Sequence, residues 1–426
     1  MFNDSLEKSD VDVFNAIVSE DNRTAEGLEL IPSENFPSKS VLQALGSVMN
    51  NKYAEGYPFF RKKDGTVEWD KTGRYYGGNR YIDVVEKLAI ERAKKLFGAE
   101  HVNVQPYSGS PANIEVYFAL LVFGDRIMGM SLDHGGHLTH GHPVNFSGRA
   151  YNFVQYGVDE ESNLLDYDNI RKMAEREQPK LILSGATAYP RTIDFREFAD
   201  IAKDVGAISM SDIAHIAGLI VGDAHPSPFP FTDVVTTTTH KTLRGPRGAM
   251  IMCKKDFAQK IDKAVFPGMQ GGPHEHAIAA KAVAFNEALQ PGFKDYARQI
   301  VKNAKALADG LMSHGFKLVT DGTDNHLILV DLRNKNITGK EAEAALDEAG
   351  ITVNKNTIPY DTGTPWNPSG IRLGTPAITT RGMKESEMKT VAELISKAID
   401  VADDDSLLEK VRGNVRELSE RFPIYS

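Results

Sequence analysis

Cysteine is nearly missing from these 426 residues, and Cys253 stands alone. A single thiol excludes an intrachain disulfide framework and a cysteine-rich metal site. Cys253 falls in the apolar run 248–253, where a buried strand residue is expected. Long apolar runs are missing too: the longest, residues 116–123, is far shorter than the ~20 residues that span a bilayer. No surplus of positive charge exists, since 49 Lys and Arg against 58 Asp and Glu leave a formal net charge of −9. That balance argues against general nucleic-acid binding, so any anionic ligand must be gripped by local donors and cations. The opening stretch MFNDSLEKSDVDVF has neither the basic start nor the apolar core of a signal peptide. A cytoplasmic protein with no membrane or nucleic-acid partner is expected.

What is present is ordinary globular material, 41% hydrophobic and 25% charged, in a chain long enough for two domains. Val11, Val13, Phe14 and Ile17 recur at helical spacing, so residues 1–24 read as an amphipathic arm. Runs 125–130, 180–183, 207–210, 233–237 and 249–253 read as strands, and 111–122 and 195–205 as helices between them. This alternation predicts an α/β fold whose mostly parallel sheet is covered on both faces. Pro291-Gly292 reads as a break after the helical run 275–289. Beyond it, helices over 296–314, 341–349 and 385–402 and a strand over 326–332 predict a smaller α+β domain. The expected division is a large domain over 25–290 and a small one over 291–426.

Ligands of such sheets gather at the C-terminal ends of the strands. One strand end delivers Asp212 and His215, and another delivers His240-Lys241-Thr242 after four threonines, bounded by Gly245 and Gly248. A lysine that forms an imine must lose its proton readily, which burial and neighbouring cations favour. His240, Arg244 and Arg247 are the candidate cations, and Asp212 suits the partner of a pyridinium nitrogen. From spacing alone, Asp212 serves equally as a loop cap and Lys241 as a solvated lysine. Ser108-Gly109-Ser110 opens a helix and fits a phosphate, although serine is also a common cap. The glycine-rich run 266–273 is a close-approach loop or a turn. The histidine-rich loop 133–142 invites a zinc reading, but it lacks a helix and a metalloprotease-spaced Glu. An imidazole stacked on an aromatic cofactor suits it better, and no metal is expected. Arg372 would grip a carboxylate bidentately, or else form a surface salt bridge. Tyr53, Glu55, Tyr57, Tyr75 and Tyr76 form an acid and aromatic cluster fit for acid–base work or for packing.

Together these segments resemble one family, the serine hydroxymethyltransferases. The resemblance rests on Leu30-Ile31-Pro32-Ser33-Glu34-Asn35, on residues 51–58, and on the 134–141 loop. Residues 212–215, the 236–248 stretch, 268–273 and Thr352-Val353-Asn354-Lys355-Asn356 extend it. It runs in order from about residue 25 to about residue 400, and the tetra-threonine–His–Lys run is highly specific. It implies a pyridoxal 5'-phosphate (PLP) enzyme of fold type I, with a large seven-stranded sheet domain of the aspartate-aminotransferase kind. It also implies at least a homodimer with shared active sites, and a tetramer is open. Lys241 would hold PLP as a Schiff base, Asp212 would pair with the ring nitrogen, and His137 would stack on the ring. His215 and Thr187 would bond near the ring hydroxyl or the substrate. Ser108, Gly109 and Ser110 would hold the phosphate with His240 and Arg247 nearby, and Gly272 and Tyr53 would come from the partner chain. Ser33, Tyr76 and Arg372 would bind the amino acid. Leu132, Gly136, Leu138, Asn356, Glu55 and Tyr75 would line the pocket of the co-substrate tetrahydrofolate. The implied reaction exchanges a one-carbon unit between serine, glycine and tetrahydrofolate, with Lys241, Glu55, His240 and Asp212 catalytic.

Three departures stand out. Residues 59–72 intervene where the family runs almost directly from Tyr57-Pro58 into Gly73-Arg74-Tyr75-Tyr76. Loop closure costs little at this length, so folding is expected to survive. Pro111 replaces a usual glutamine, and Thr187 a usual serine. The insertion motivates two rivals on the same scaffold: folate-independent aldol cleavage of threonine-like amino acids, and transfer to an α-methyl amino acid. A non-catalytic scaffold protein is the rival of another class.

Overall fold

The computed structural model describes residues 4–425. Seven strands form its main sheet: β1 (His101–Asn103), β2 (Arg126–Met130), β3 (Asn152–Tyr156), β4 (Leu181–Ser184), β5 (Ile208–Asp212), β6 (Val234–Thr238) and β7 (Ala249–Cys253). Their spatial order is β3-β2-β4-β5-β6-β7-β1. All neighbours run parallel except β7, which is antiparallel to both β6 and β1. This is the expected α/β class.

The central strands are buried along nearly their whole length because both faces of the sheet are covered. Successive side chains point to opposite faces, so Met128, Ile182, Val235 and Met250 enter one core. Ile127, Leu181, Val234 and Ile251 enter the other, where Cys253 is also fully buried. The two edge strands escaped the sequence reading. β1 has three residues and β3 (NFVQY) is only partly buried, so neither makes an apolar run.

A second, antiparallel sheet has the order β8 (Lys317–Leu318), β9 (Leu327–Asp331), β11 (Gly370–Gly374), β10 (Asn354–Asn356). Helices Pro291–Ser313, Gly339–Glu348, Glu385–Asp400 and Asp405–Glu420 share its core, and so do Leu28 and Leu30. The helix Glu275–Ala288 ends just before Pro291, so the break falls where the sequence put it. Pro291 sits in the first turn of the 23-residue helix Pro291–Ser313, where its missing N–H costs nothing. The arm forms the helix Val11–Glu26, whose Val11, Val13 and Ile17 stay exposed within one chain, while residues 1–3 lie outside the described part. Among the described residues, no helix is long and apolar enough to cross a membrane.

Candidate active site

β5 and β6 lie side by side, with Asp212 opposite Thr236, so their C-terminal ends place Asp212 and the His240-Lys241 loop together. Asp212 accepts from Asn113 Nδ2 at 2.8 Å and from the Ala214 N–H at 3.0 Å, and His140 Nε2 lies 3.3 Å from it. Burial disfavours its charge, but the His140 contact, His137 and Asn113 outweigh that and hold the carboxyl well below its ordinary range. Asn113 is itself fixed by Thr236, whose hydroxyl donates to Asn113 Oδ1 at 2.6 Å.

Burial pushes the Lys241 amine down to about 8, with Arg372 and Arg247 adding and Asp212 opposing. The supply of cations differs from the expectation at two positions. His240 is held neutral, down to about 3, by burial and by Lys241 and Arg247. Arg244 turns away, its guanidinium 4.5 Å from the Tyr296 ring centre. The Lys241 backbone is pinned by Asn35, whose Nδ2 donates to its carbonyl at 2.8 Å.

The histidines of the 133–142 loop diverge to separate tasks. His134 Nδ1 accepts from the Val158 N–H, His140 faces Asp212, and His137 Nδ1 lies 2.7 Å from Thr139 Oγ1. Burial, then His140, lowers His137 to about 4, so it presents a neutral flat ring. His215 is buried, and its Nδ1 lies 3.2 Å from Nε2 of His326, a residue the sequence reading did not single out.

Arg372 is only 8% exposed, yet its guanidinium donates to the Thr187 carbonyl at 2.6 Å and to Asn354 Oδ1 at 3.1 Å. Among the described residues no carboxylate pairs with it, and burial lowers it to about 10. A buried guanidinium bonded only to neutral groups is a standing site for an anion. Thr187 thus engages Arg372 through its backbone. At the end of the same strand the Gly374 N–H donates at 2.7 Å to the carbonyl of Leu30, which precedes Ser33 in the chain. Asn356 shares β10 with Asn354 and faces Gly370.

Ser108 is the N-cap of helix Gly109–Leu120 without a side-chain cap bond, which leaves its hydroxyl for another acceptor. A Cβ at Gly109 would meet Thr238 Cγ2 at 2.8 Å, so the backbone must approach closely there. The helix starts two residues earlier than the sequence suggested, and Pro111 falls within its first turn.

Over residues 6–395 the chain matches the family model for serine hydroxymethyltransferase. The chain belongs to the serine hydroxymethyltransferase family. It therefore has the PLP fold type I architecture and is a PLP-dependent hydroxymethyltransferase by family. The residues present fit that cofactor: an amine of lowered pKa, a carboxylate held charged, an uncapped hydroxyl at a helix N-terminus and an anion-seeking arginine.

The other family motif residues form a second group. Tyr53 and Tyr76 pack edge to face, with ring centres 5.0 Å apart, and Tyr75 adjoins Tyr76. A Cβ at Gly272 would meet the Tyr53 ring at 3.3 Å, and one at Gly271 would meet Glu55 Oε1 at 3.3 Å. The Tyr107 hydroxyl donates to the Gly272 carbonyl at 2.8 Å, which sets this rim beside Ser108. Gly136 is buried under backbone contact with Met130, Leu138 is exposed and Leu132 is half-buried.

The inserted residues form a hairpin, Phe60–Arg61 against Val67–Glu68, which closes before it reaches the motifs it separates. The Gly73 N–H donates to the Tyr57 carbonyl at 3.0 Å and the Tyr75 N–H to the Glu55 carbonyl at 2.9 Å. Its anchors point elsewhere: Phe59 enters the large core, and Arg61 binds Asp262, which His101 and Asn103 also contact.

Proposed function

We propose that the chain is a folate-dependent serine hydroxymethyltransferase, interconverting L-serine and tetrahydrofolate with glycine and 5,10-methylenetetrahydrofolate. The observation that carries the folate-dependent reading is the backbone pairing of Glu55 with Tyr75 across the base of the hairpin. It keeps the acid and the aromatic rim in one place despite the insertion.

Bound PLP supplies an electron sink for the bond broken at the amino acid's α-carbon. Lys241, neutral in useful amount near pH 7, is the attachment point. Asp212 stays charged and would hold a proton at the ring nitrogen, while the His137 ring would lie against the cofactor face. Ser108, Gly109, Ser110, Arg247, Tyr53 and Gly272 would hold the phosphate, with His240 beside them. Arg372, with Ser33 and Tyr76, would grip the substrate carboxylate and so orient the bond that breaks. His215 and Thr187 would bond near the ring hydroxyl or the substrate. Glu55 would move a proton between the substrate hydroxyl and the folate. Tyr75, Leu132, Gly136, Leu138 and Asn356 would line the folate pocket.

The assembly we propose is a cytoplasmic homodimer with shared sites. Its support is the rim of Tyr53, Glu55, Tyr75, Tyr76 and Gly272, in which Tyr53, Tyr75 and Tyr76 are exposed and meet mainly one another. A rim in which Tyr75 is 80% exposed suits contact with a second copy. The test is glycine formation from serine with and without tetrahydrofolate. A rate that needs folate supports the proposal. A rate indifferent to folate overturns it in favour of aldol cleavage, and turnover confined to α-methylserine overturns it in favour of that acceptor.

A further inference from the structure

His326 stands just before β9, the neighbour of the strand that carries Arg372, whereas His215 follows β5 in the main sheet. The 3.2 Å contact between the two rings therefore bridges the two sheets across the site, over 111 residues of sequence. Both rings are buried. Burial, then Lys241 and Arg372, pushes His215 well below its ordinary value. Burial, then Arg372 and Lys241, takes His326 to about 3. Two neutral imidazoles share one hydrogen bond, so one ring donates and the other accepts.

The remaining nitrogen of His326 decides which. His326 Nδ1 is buried and has no hydrogen-bond partner. If His215 donated, His326 would carry its proton on Nδ1, an N–H sealed away from any acceptor. If His326 donates from Nε2, only a lone pair is stranded there. An orphaned buried N–H is the rarer defect of the two. His215 then accepts at Nδ1 and carries its own proton on Nε2, which makes no hydrogen bond among the described residues. Lys241, Arg372 and His137 are the groups whose charges this ring feels.

We infer that His326 is a positioning residue that fixes His215 as the Nε2–H tautomer, a dedicated donor to an anionic oxygen of the bound cofactor or amino acid. The inference rests on the reading of His215 as a group that touches them. It assigns a tautomer and a partner in place of a generic contact. It also predicts that His215 does not act as a base from Nε2.

The direct test is the long-range proton–nitrogen spectrum of the 15N-histidine-labelled holoenzyme, with His215 assigned by loss of its signals in His215→Asn. Protonation at Nε2 is expected, and protonation at Nδ1 overturns the inference. His326→Phe keeps the volume and loses the donor, so kcat/KM for serine should fall about 10- to 100-fold while PLP saturation stays at the wild-type level. His326→Gln retains an amide donor and should recover to within about threefold. Unchanged kcat/KM in His326→Phe overturns the inference if His215→Asn is impaired. If His215→Asn is itself unimpaired, the reading of His215 is what fails. Should the phenylalanine variant not fold, the spectrum of the wild-type protein decides alone.

Discussion

Around Lys241, Asp212 and the lysine backbone are held by partners inside one chain, whereas around Glu55 the tyrosine side chains stand open. Asp212 is held by Asn113, His140 and a backbone N–H, and Lys241 is tethered through Asn35. Across the site, Tyr53, Tyr75 and Tyr76 are exposed and meet mainly one another. The difference follows from what each region must do. Groups that set charge on a cofactor work through a desolvated, prearranged field, and such a field has to be built in before the ligand arrives. A rim that closes over a second substrate can be completed later, by contact with another surface. On the reading proposed above, the first region is finished by folding and the second would be finished by assembly.

The largest effect expected on this contrast is from Lys241→Ala. Turnover should drop below detection, while circular dichroism and the oligomer mass stay as in the wild type, because burial disfavours the lost charge anyway. Retained activity would remove Lys241 from the chemistry. Glu55→Gln should lower the folate-dependent rate about 100-fold while the absorbance of bound PLP is unchanged. Co-expression of the two variants sharpens the comparison. If each site joins one chain's Lys241 to the other's Glu55, a mixed dimer regains one intact site, and a random mixture recovers about a quarter of wild-type activity. No recovery would place both residues in one chain's site.

The floor should also titrate differently from a surface lysine. With the Lys241 amine at about 8, its neutral fraction rises about tenfold per pH unit below that value and levels off above it. PLP uptake by the apoenzyme, followed by absorbance, should therefore climb from pH 6 to about 8 and then flatten. A rise that continues to pH 10 would show an amine unaffected by its surroundings.

The sequence disclosed the finished region better than the open one, and there only in part. Asp212 was visible as a carboxylate where a strand stops, and Lys241 as a lysine delivered by a β-prone run of threonines to a glycine-bounded loop. Asn113 and His140 carried no readable task, since each acts on Asp212 from 99 and 72 residues away. His326 was passed over for the same reason, its partner being 111 residues distant. The cationic role given to His240 failed because burial, which no local pattern reveals, keeps the ring neutral. The helix Asp405–Glu420 went unread, with Gly413 interrupting its pattern.

The insertion gave the sequence its strongest reason to doubt folate, yet the hairpin closes before it reaches the motifs it separates. The hairpin leaves the path between Tyr57 and Gly73 and returns to it, so its length is taken up on the flank of β1. Its one buried ion pair joins Arg61 to Asp262, a carboxylate that also keeps His101 and Asn103. Arg61→Ala should therefore cost about 2 kcal/mol in urea unfolding, less than a buried pair left with no other donors. The same variant should leave KM for tetrahydrofolate within about threefold of the wild type, because nothing it contacts belongs to the Glu55 rim. A larger rise in KM with unchanged stability would mean that the hairpin reaches the folate from the partner's side, and the rim would then include a segment the family lacks.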